Sequence, residues 1–255
     1  KISAIIIAKD EERVIEKSIK SVAFCDEIVV IDDNSRDRTE EISKRLGAQV
    51  YQGDSMDDFA ALRNSATSKA RGEWFLFVDA DEEVSMELKK EILKQVQDDD
   101  KSESIAYYIK RRDFWWGREL RFGETREART RGLIRLMQRD SGRWIGKVHE
   151  EFVCQGLVGR LESLLNHYPH PTVKDFLKEI NYYSTLRAEE LLKQRKSANI
   201  FSIIFYPLGK FVFTYFLKLG FLDGPAGFGY AFMMSFHSFL VRAKLYQYTK
   251  IDKKV

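Results

Sequence analysis

Residues 73 to 85 read EWFLFVDADEEVS. The apolar run at its centre has no polar alternation, which marks a strand buried on both faces, as in a parallel sheet covered by helices. Two acids follow it directly. In extended backbone, side chains two residues apart leave the same face, so Asp79 and Asp81 can present two carboxylates together. Such a pair suits a hard cation, Mg²⁺ or Mn²⁺, with coordination positions left for phosphate oxygens. A plain surface turn is the competing explanation for Asp-x-Asp, and its position after an apolar strand argues against that.

Working outward from this stretch, ISAIIIA (2 to 8), EIVVID (27 to 32) and AQVYQ (48 to 52) read as three further strands. Between them, residues 11 to 23, 37 to 46 and 57 to 70 have helical spacing, with Thr39 a candidate cap for the second. A fourth helix is expected from Ser85, with Leu88, Ile92, Leu93 and Val96 on one face. Strand and helix alternate four times, so the expected fold class is α/β: a mostly parallel sheet with right-handed crossovers, flanked by helices. Ligands of such sheets lie at the carboxyl ends of the strands, which is where both Asp32–Asp33–Asn34–Ser35 and Asp79–Ala80–Asp81–Glu82 fall. Asp32 can accept hydrogen bonds from a nucleobase or ribose, or serve a turn. Arg63, on the third helix, can hold an anionic ligand or form a salt bridge.

Beyond residue 97, DDDKSES (98 to 104) reads as a polar loop. IAYYIKR (105 to 111) is a strand, and LIRLMQR (133 to 139) is another, expected as an added edge. Residues 112 to 132 read as an ordered binding loop. The character changes near residues 168 to 171, giving an expected division into a catalytic domain, 1–171, and a helical extension, 172–255. An amphipathic helix is expected over 174 to 195. Residues 199 to 248 carry fifteen of the chain's thirty-three aromatic residues. This aromatic region is broken by Lys210, Lys218, Asp223 and several glycines, and its longest uncharged run is marginal against the roughly 20 residues of a spanning helix. Helices lying in a membrane interface are therefore expected, with packing on the catalytic domain or a homo-oligomer interface as alternatives.

Net charge is +3, but residues 110 to 147 hold twelve Lys/Arg against five Asp/Glu, and residues 174 to 255 thirteen against six. A basic middle suits an anionic ligand and a basic, aromatic tail an anionic membrane surface. No nucleic-acid module is recognisable, so no nucleic-acid partner is expected. Cys25 and Cys154 match no metal or redox spacing, consistent with a reduced cytoplasmic protein. Charged residues 9 to 13 break the first apolar run, so no secretory signal is expected there.

The segments ISAIIIAKDEE, EIVVIDDNSRDRT, FAALRNSA and EWFLFVDADEEVS occur in an order that resembles the family 2 glycosyltransferases of the GT-A fold. RLMQR (135 to 139), WIGKVHEEF (144 to 152), NHYPH (166 to 170) and FLKLGFLDGPAGFGYAF (216 to 232) resemble the branch that builds bacterial lipopolysaccharide core, the β-1,4-glucosyltransferase type. The resemblance implies a nucleotide-sugar site formed by Ala8, Asp10, Glu11, Asp32, Arg63, Asp79, Ala80 and Arg135. It implies a divalent metal managed by Asp79 and Asp81, and Asp81 as part of the catalytic apparatus. His149 is a candidate metal ligand or diphosphate contact, with a structural imidazole as the alternative. Glu150 is the candidate general base, with a salt bridge to Lys147 or an arginine as its alternative, Glu151 as fallback and Asp113 as a weaker choice.

The implied reaction is inverting transfer of one sugar, glucose from UDP-glucose by resemblance, to a lipid-linked glycan such as lipopolysaccharide core. The implied location is the inner face of the cytoplasmic membrane. A polyprenyl-phosphate acceptor, or a non-catalytic nucleotide-sugar-binding role, are the alternatives. Gly123–Glu124–Thr125–Arg126 departs from the family's usual Gly-Gly-Trp stretch, on the acceptor side, and the Gln/Arg-x-x-Arg-Trp motif of processive relatives is absent, which favours a single addition.

Overall fold

The computed structural model describes residues 1–53, 58–97, 103–146 and 150–251. The chain divides into two compact units, residues 1–112 with 128–167 and residues 113–127 with 168–255.

The first unit is built on a mixed sheet. Its parallel half contains β1 (Ile2–Ala8), β2 (Glu27–Asp32), β3 (Gln49–Gln52) and β4 (Trp74–Asp79), in the order β3-β2-β1-β4. The connecting helices are α1 (Ile15–Ser21), α2 (Thr39–Arg45) and α3 (Phe59–Lys69). Ile5, Ile6, Val29, Val30, Leu76 and Phe77 are fully buried, as expected for strands covered on both faces. After β4 come β5 (Glu82–Val84) and α4 (Met86–Gln97), whose first turn is capped by the Ser85 hydroxyl accepting from Leu88 N at 3.2 Å. Thr39 does not cap α2. It is the first helical residue, and Asp37 accepts from its backbone N at 3.0 Å, while the Thr39 hydroxyl accepts from Glu11 N at 2.7 Å.

The antiparallel half holds β6 (Ser104–Trp115), β8 (Leu133–Gln138) and β11 (Leu157–His167), continuing the order as β4-β8-β6-β11-β5. β8 is therefore not an edge, as the sequence suggested, but lies between β4 and β6, with Leu76 opposite Leu136. A separate hairpin of β9 (Gly142–Ile145) and β10 (Glu151–Cys154) is fastened to α3 by Asn64, whose amide donates to Trp144 O and accepts from Trp144 N, both at 2.9 Å.

Residues 112 to 132 are not one loop. β6 runs through Trp115 into a hairpin with β7 (Arg118–Leu120), followed by a short helix α5 (Arg126–Thr130). Residues 113–127 of this stretch group with the second unit rather than with the sheet. That unit contains α6 (Val173–Lys193), α7 (Ile200–Val212), which continues as a π-helical turn Phe213–Leu217, and α8 (Gly224–Tyr246). Its interior joins Trp115 and Leu120 to Phe176, Ile180, Ala226 and Met233.

Far from the strands' carboxyl ends, Glu27 ties β1, β2 and the entry to β4 together. Its carboxylate accepts from the Ser3 hydroxyl and from the backbone N of Arg71 and Gly72. Gly72 is required there because a Cβ would sit 2.5 Å from Ser3 Oγ and 2.7 Å from Ser3 N. Burial raises the Glu27 pKa, but these donors outweigh it and leave the carboxyl below its usual value. A depressed acid stabilises the fold above its unfolded pKa, and that contribution disappears as pH falls through the folded value. Glu27→Gln is thus expected to cost about 1 kcal/mol at pH 7, modest because the carboxylate is partly exposed. Urea unfolding at several pH values should show the deficit shrinking below about pH 4.

Candidate active site

The two acidic clusters stand on either side of β1. Ala8 pairs with Asp32 and Ile7 with Asp79, so both acids reach the same end of the parallel half-sheet, about 10 Å apart at two strand spacings. Asp32 is buried. Its Oδ2 accepts from Ser35 N at 3.2 Å, while Oδ1 has no hydrogen-bond partner among the described residues. A buried carboxylate oxygen without a donor is costly unless a ligand supplies one.

Ala8, Asp10 and Glu11 shape the rim beside it. The Ala8 carbonyl accepts from Asp33 N at 2.8 Å. Asp10 has a left-handed backbone (φ 58°) held from both sides: its N donates to Ser35 Oγ at 2.9 Å, and its carboxylate accepts from Arg36 N at 2.8 Å. Asp10 is thereby committed to closing the β1 and β2 loops on each other.

Asp79 is held by two arginines. Arg63 Nη2 donates to Oδ1 at 2.9 Å, and Arg135, from β8, donates to both carboxylate oxygens. Arg63 is buried, with its guanidinium carbon 4.8 Å from the centre of the Trp144 ring and 5.5 Å from that of Phe77, and its Nε donates to Glu150 Oε1 at 3.0 Å. The salt-bridge arrangement anticipated for Arg63 and for Glu150 is thus one and the same interaction. Glu82, whose side chain is fully buried, accepts from Asp79 N at 2.8 Å and from Arg135 Nη2 at 3.1 Å, and Arg111 Nη1 lies 3.5 Å away. Asp81 has a different partner, with Oδ2 3.1 Å from His167 Nε2. Ala80 between them is buried.

The charges respond to one another. Burial would raise the Asp79 pKa, but Arg135 and Arg63 hold its carboxyl well below the usual range. Burial opposes the Arg135 charge, and Asp79 and Glu82 more than restore it. Asp81 is raised by burial and lowered further by His167, ending below its ordinary value. Glu82 is pushed up, first by burial and then by Asp79, against the pull of Arg135. Four carboxylates (Asp79, Asp81, Glu82, Glu150) face three guanidiniums (Arg63, Arg111, Arg135) and the His167 imidazole, so each charge in the cluster leans on its neighbours.

Both carboxylates have protein partners in this structure, Asp79 with Arg63 and Arg135 and Asp81 with His167. No group of three or more His, Cys, Asp or Glu able to hold a metal occurs among the described residues. His149 lies outside them. Asp81 and His167 do fit a divalent cation. Carboxylate oxygen and imidazole nitrogen suit Mn²⁺, and such ions take only one or two protein ligands when phosphates supply the rest. Both side chains keep some access to solvent, 25% and 12%. From the sequence His167 has no signal beyond its place in the NHYPH segment. Its place is set by β11 pairing with β5, which puts His167 opposite Glu82. Asp113 is buried and belongs to the second unit, and Glu151 is exposed at the start of β10.

A family model, glycosyl transferase family 2, matches residues 3–151, more than half of the chain. The chain belongs to this family. The family 2 glycosyltransferase is 31% identical over 260 residues to the lipopolysaccharide core biosynthesis glycosyltransferase LpsC of Rhizobium meliloti, covering 96% of this chain and 92% of that one. It is 29% identical to an uncharacterized glycosyltransferase of Rickettsia typhi, covering 96% and 86%. Among solved structures, TarS residues 1–349 of S. aureus in complex with UDP-GlcNAc matches with a TM-score of 0.51 and 17% identity, covering 96% of this chain and 82% of that one, a likeness of fold. The glycosyltransferase is accordingly a GT-A-type α/β protein with a helical C-terminal region.

Arg63 ties Asp79 to Glu150, so its loss leaves Glu150 without that guanidinium and Asp79 with Arg135. Arg63→Met is expected to destabilise the fold by about 3 kcal/mol, read by chemical denaturation, with Arg63→Lys recovering only part of it because an ammonium cannot make both forked contacts.

Proposed function

We propose that this glycosyltransferase moves one sugar from a nucleoside-diphosphate sugar to a hydroxyl of a lipid-linked glycan, with inversion at the anomeric carbon. The observation that carries the reading is the pairing across β1 of a buried acceptor without a donor, Asp32 Oδ1, with the arginine-braced acidic cluster at the end of β4. The spacing suits a nucleoside at the first and its diphosphate at the second. Asp32 accepts from the base or ribose. Arg63 and Arg135 supply guanidinium donors to phosphate oxygens while keeping Asp79 in place. Asp81 with His167, and Asp79 and His149 as the sequence suggests, would hold a Mg²⁺ or Mn²⁺ ion, which when bound offsets the negative charge of the leaving diphosphate.

Glu150, oriented by Arg63, is the base. It takes the proton of the acceptor hydroxyl as that oxygen bonds to the anomeric carbon and the bond to the diphosphate breaks, through an oxocarbenium-like transition state. The likeness to LpsC supports a lipopolysaccharide-core type of acceptor, and UDP-glucose is the first donor to try.

A screen of nucleotide sugars with Mg²⁺ or Mn²⁺, read by release of nucleoside diphosphate, should find one preferred donor. With that donor, Asp81→Ala is expected to lower kcat at least about 100-fold with an unchanged circular dichroism spectrum, and product NMR should show the β-anomer from an α-linked donor. Undiminished turnover in Asp81→Ala would remove the metal assignment, and retained configuration would remove the single-displacement mechanism.

A further inference from the structure

The second unit contains a feature that the transfer chemistry does not use. From Ile200 to Leu217 the chain is helical for 18 residues, long and apolar enough to cross a membrane by length and composition. No residue of α7 is buried. Phe201, Phe205 and Leu217 are 67%, 61% and 69% exposed, and Ile204, Leu208 and Phe216 are exposed beside them. A water-soluble helix ordinarily hides its apolar stripe and shows a polar one. Here the one charged residue of α7, Lys210, is drawn inward, with Nζ 2.7 Å from Glu124 Oε1 of the same unit. The inward side is further fixed by the Ser235 hydroxyl donating to Pro207 O at 2.7 Å and by Arg242 of α8 lying 4.1 Å from the centre of the Tyr206 ring.

Basic side chains flank the stretch at both ends. Lys193, Arg195 and Lys196 precede it and are exposed, and Lys218 follows it, with Nζ 5.3 Å from the Phe213 ring centre. This arrangement discriminates between occupants. Pairing α7 with α7 of a second copy, parallel or antiparallel, brings basic flank onto basic flank. An anionic lipid surface instead complements the flanks while its acyl region takes the aromatic face.

We infer that α7 and its π-helical continuation form a monotopic membrane-insertion element, lying in the plane of an anionic bilayer with the Phe201–Phe205–Phe216 side in the acyl boundary and the basic flanks at the headgroups. It lies in the membrane surface and does not cross it. One side is occupied by α8, and Lys210 would otherwise sit at mid-bilayer, where an ammonium is costly. The inference concerns the second unit alone and does not depend on the donor, metal or acceptor assigned above.

The test is flotation of the full chain with vesicles of phosphatidylglycerol and phosphatidylethanolamine, compared with phosphatidylcholine. The chain is expected to float with the anionic vesicles and several-fold less with the zwitterionic ones. The double variant Phe201→Glu/Phe205→Glu should lower the bound fraction about tenfold or more, whereas Met86→Glu, at an exposed apolar position on α4 of the first unit, should bind as the parent does. Phe205→Trp, which preserves the apolar face if the glutamates disturb folding, should acquire fluorescence quenching by bromine-labelled acyl chains beyond that of the parent.

Four results would overturn the proposal. They are failure to float, equal flotation of the double variant, absence of added quenching at position 205, and a doubled mass in light scattering that the double variant abolishes while vesicles bind neither protein. The last would assign the face to a second copy.

Discussion

The cluster of Arg63, Asp79, Arg135 and Glu82 joins four separate parts of the first unit. Charges withdrawn from water are tolerated only when they are paired and hydrogen-bonded, and here each partner comes from a different part of the chain: α3, the end of β4, β8 and β5. The pairing fixes where α3 lies on the sheet and why β8 runs beside β4. It also fixes the loop after β4, because Glu82 turns back to accept from Asp79 N.

The cluster also reaches Glu150, the proposed base. Its carboxylate is placed by Arg63, which is itself wedged against Trp144 and Phe77, and Trp144 is clamped to α3 through Asn64. The β9–β10 hairpin is thus tied to the same helix that braces Asp79. The second unit follows a different logic. Its interior of Trp115, Phe176, Ile180 and Met233 is apolar and aromatic, and α7 adds apolar surface that this interior does not consume.

The four parallel strands were legible because burial on both faces leaves uninterrupted apolar runs, and their acidic ends were legible because ligand sites gather there. The antiparallel half was harder. LIRLMQ looks like any half-buried strand, and nothing in six residues says that it will lie inside the sheet with Arg135 aimed at Asp79. β5 is three residues long and β11 mixes polar with apolar positions, so neither gave a periodic signal. Residues 112 to 132 read as a loop because of their Arg and Gly content, yet they carry a short helix and a hairpin, the hairpin grouping with residues far along the chain. Thr39 fits a cap by residue type, but it is already inside the helix, and the Asp37 carboxylate two residues earlier accepts from its backbone N.

By itself the sequence determined the alternation of strand and helix, the membership in a glycosyltransferase family and the two acidic sites, because these are local: periodicity, burial and strand ends are properties of short segments. The tertiary structure alone decided which groups those acids face. Asp79 meets Arg63 and Arg135, Asp81 meets His167, and Lys210 turns to Glu124 so that the far side of α7 is left apolar. Each of these contacts joins residues well separated along the chain, and its energy depends on register and burial that exist only once the strands and helices have packed.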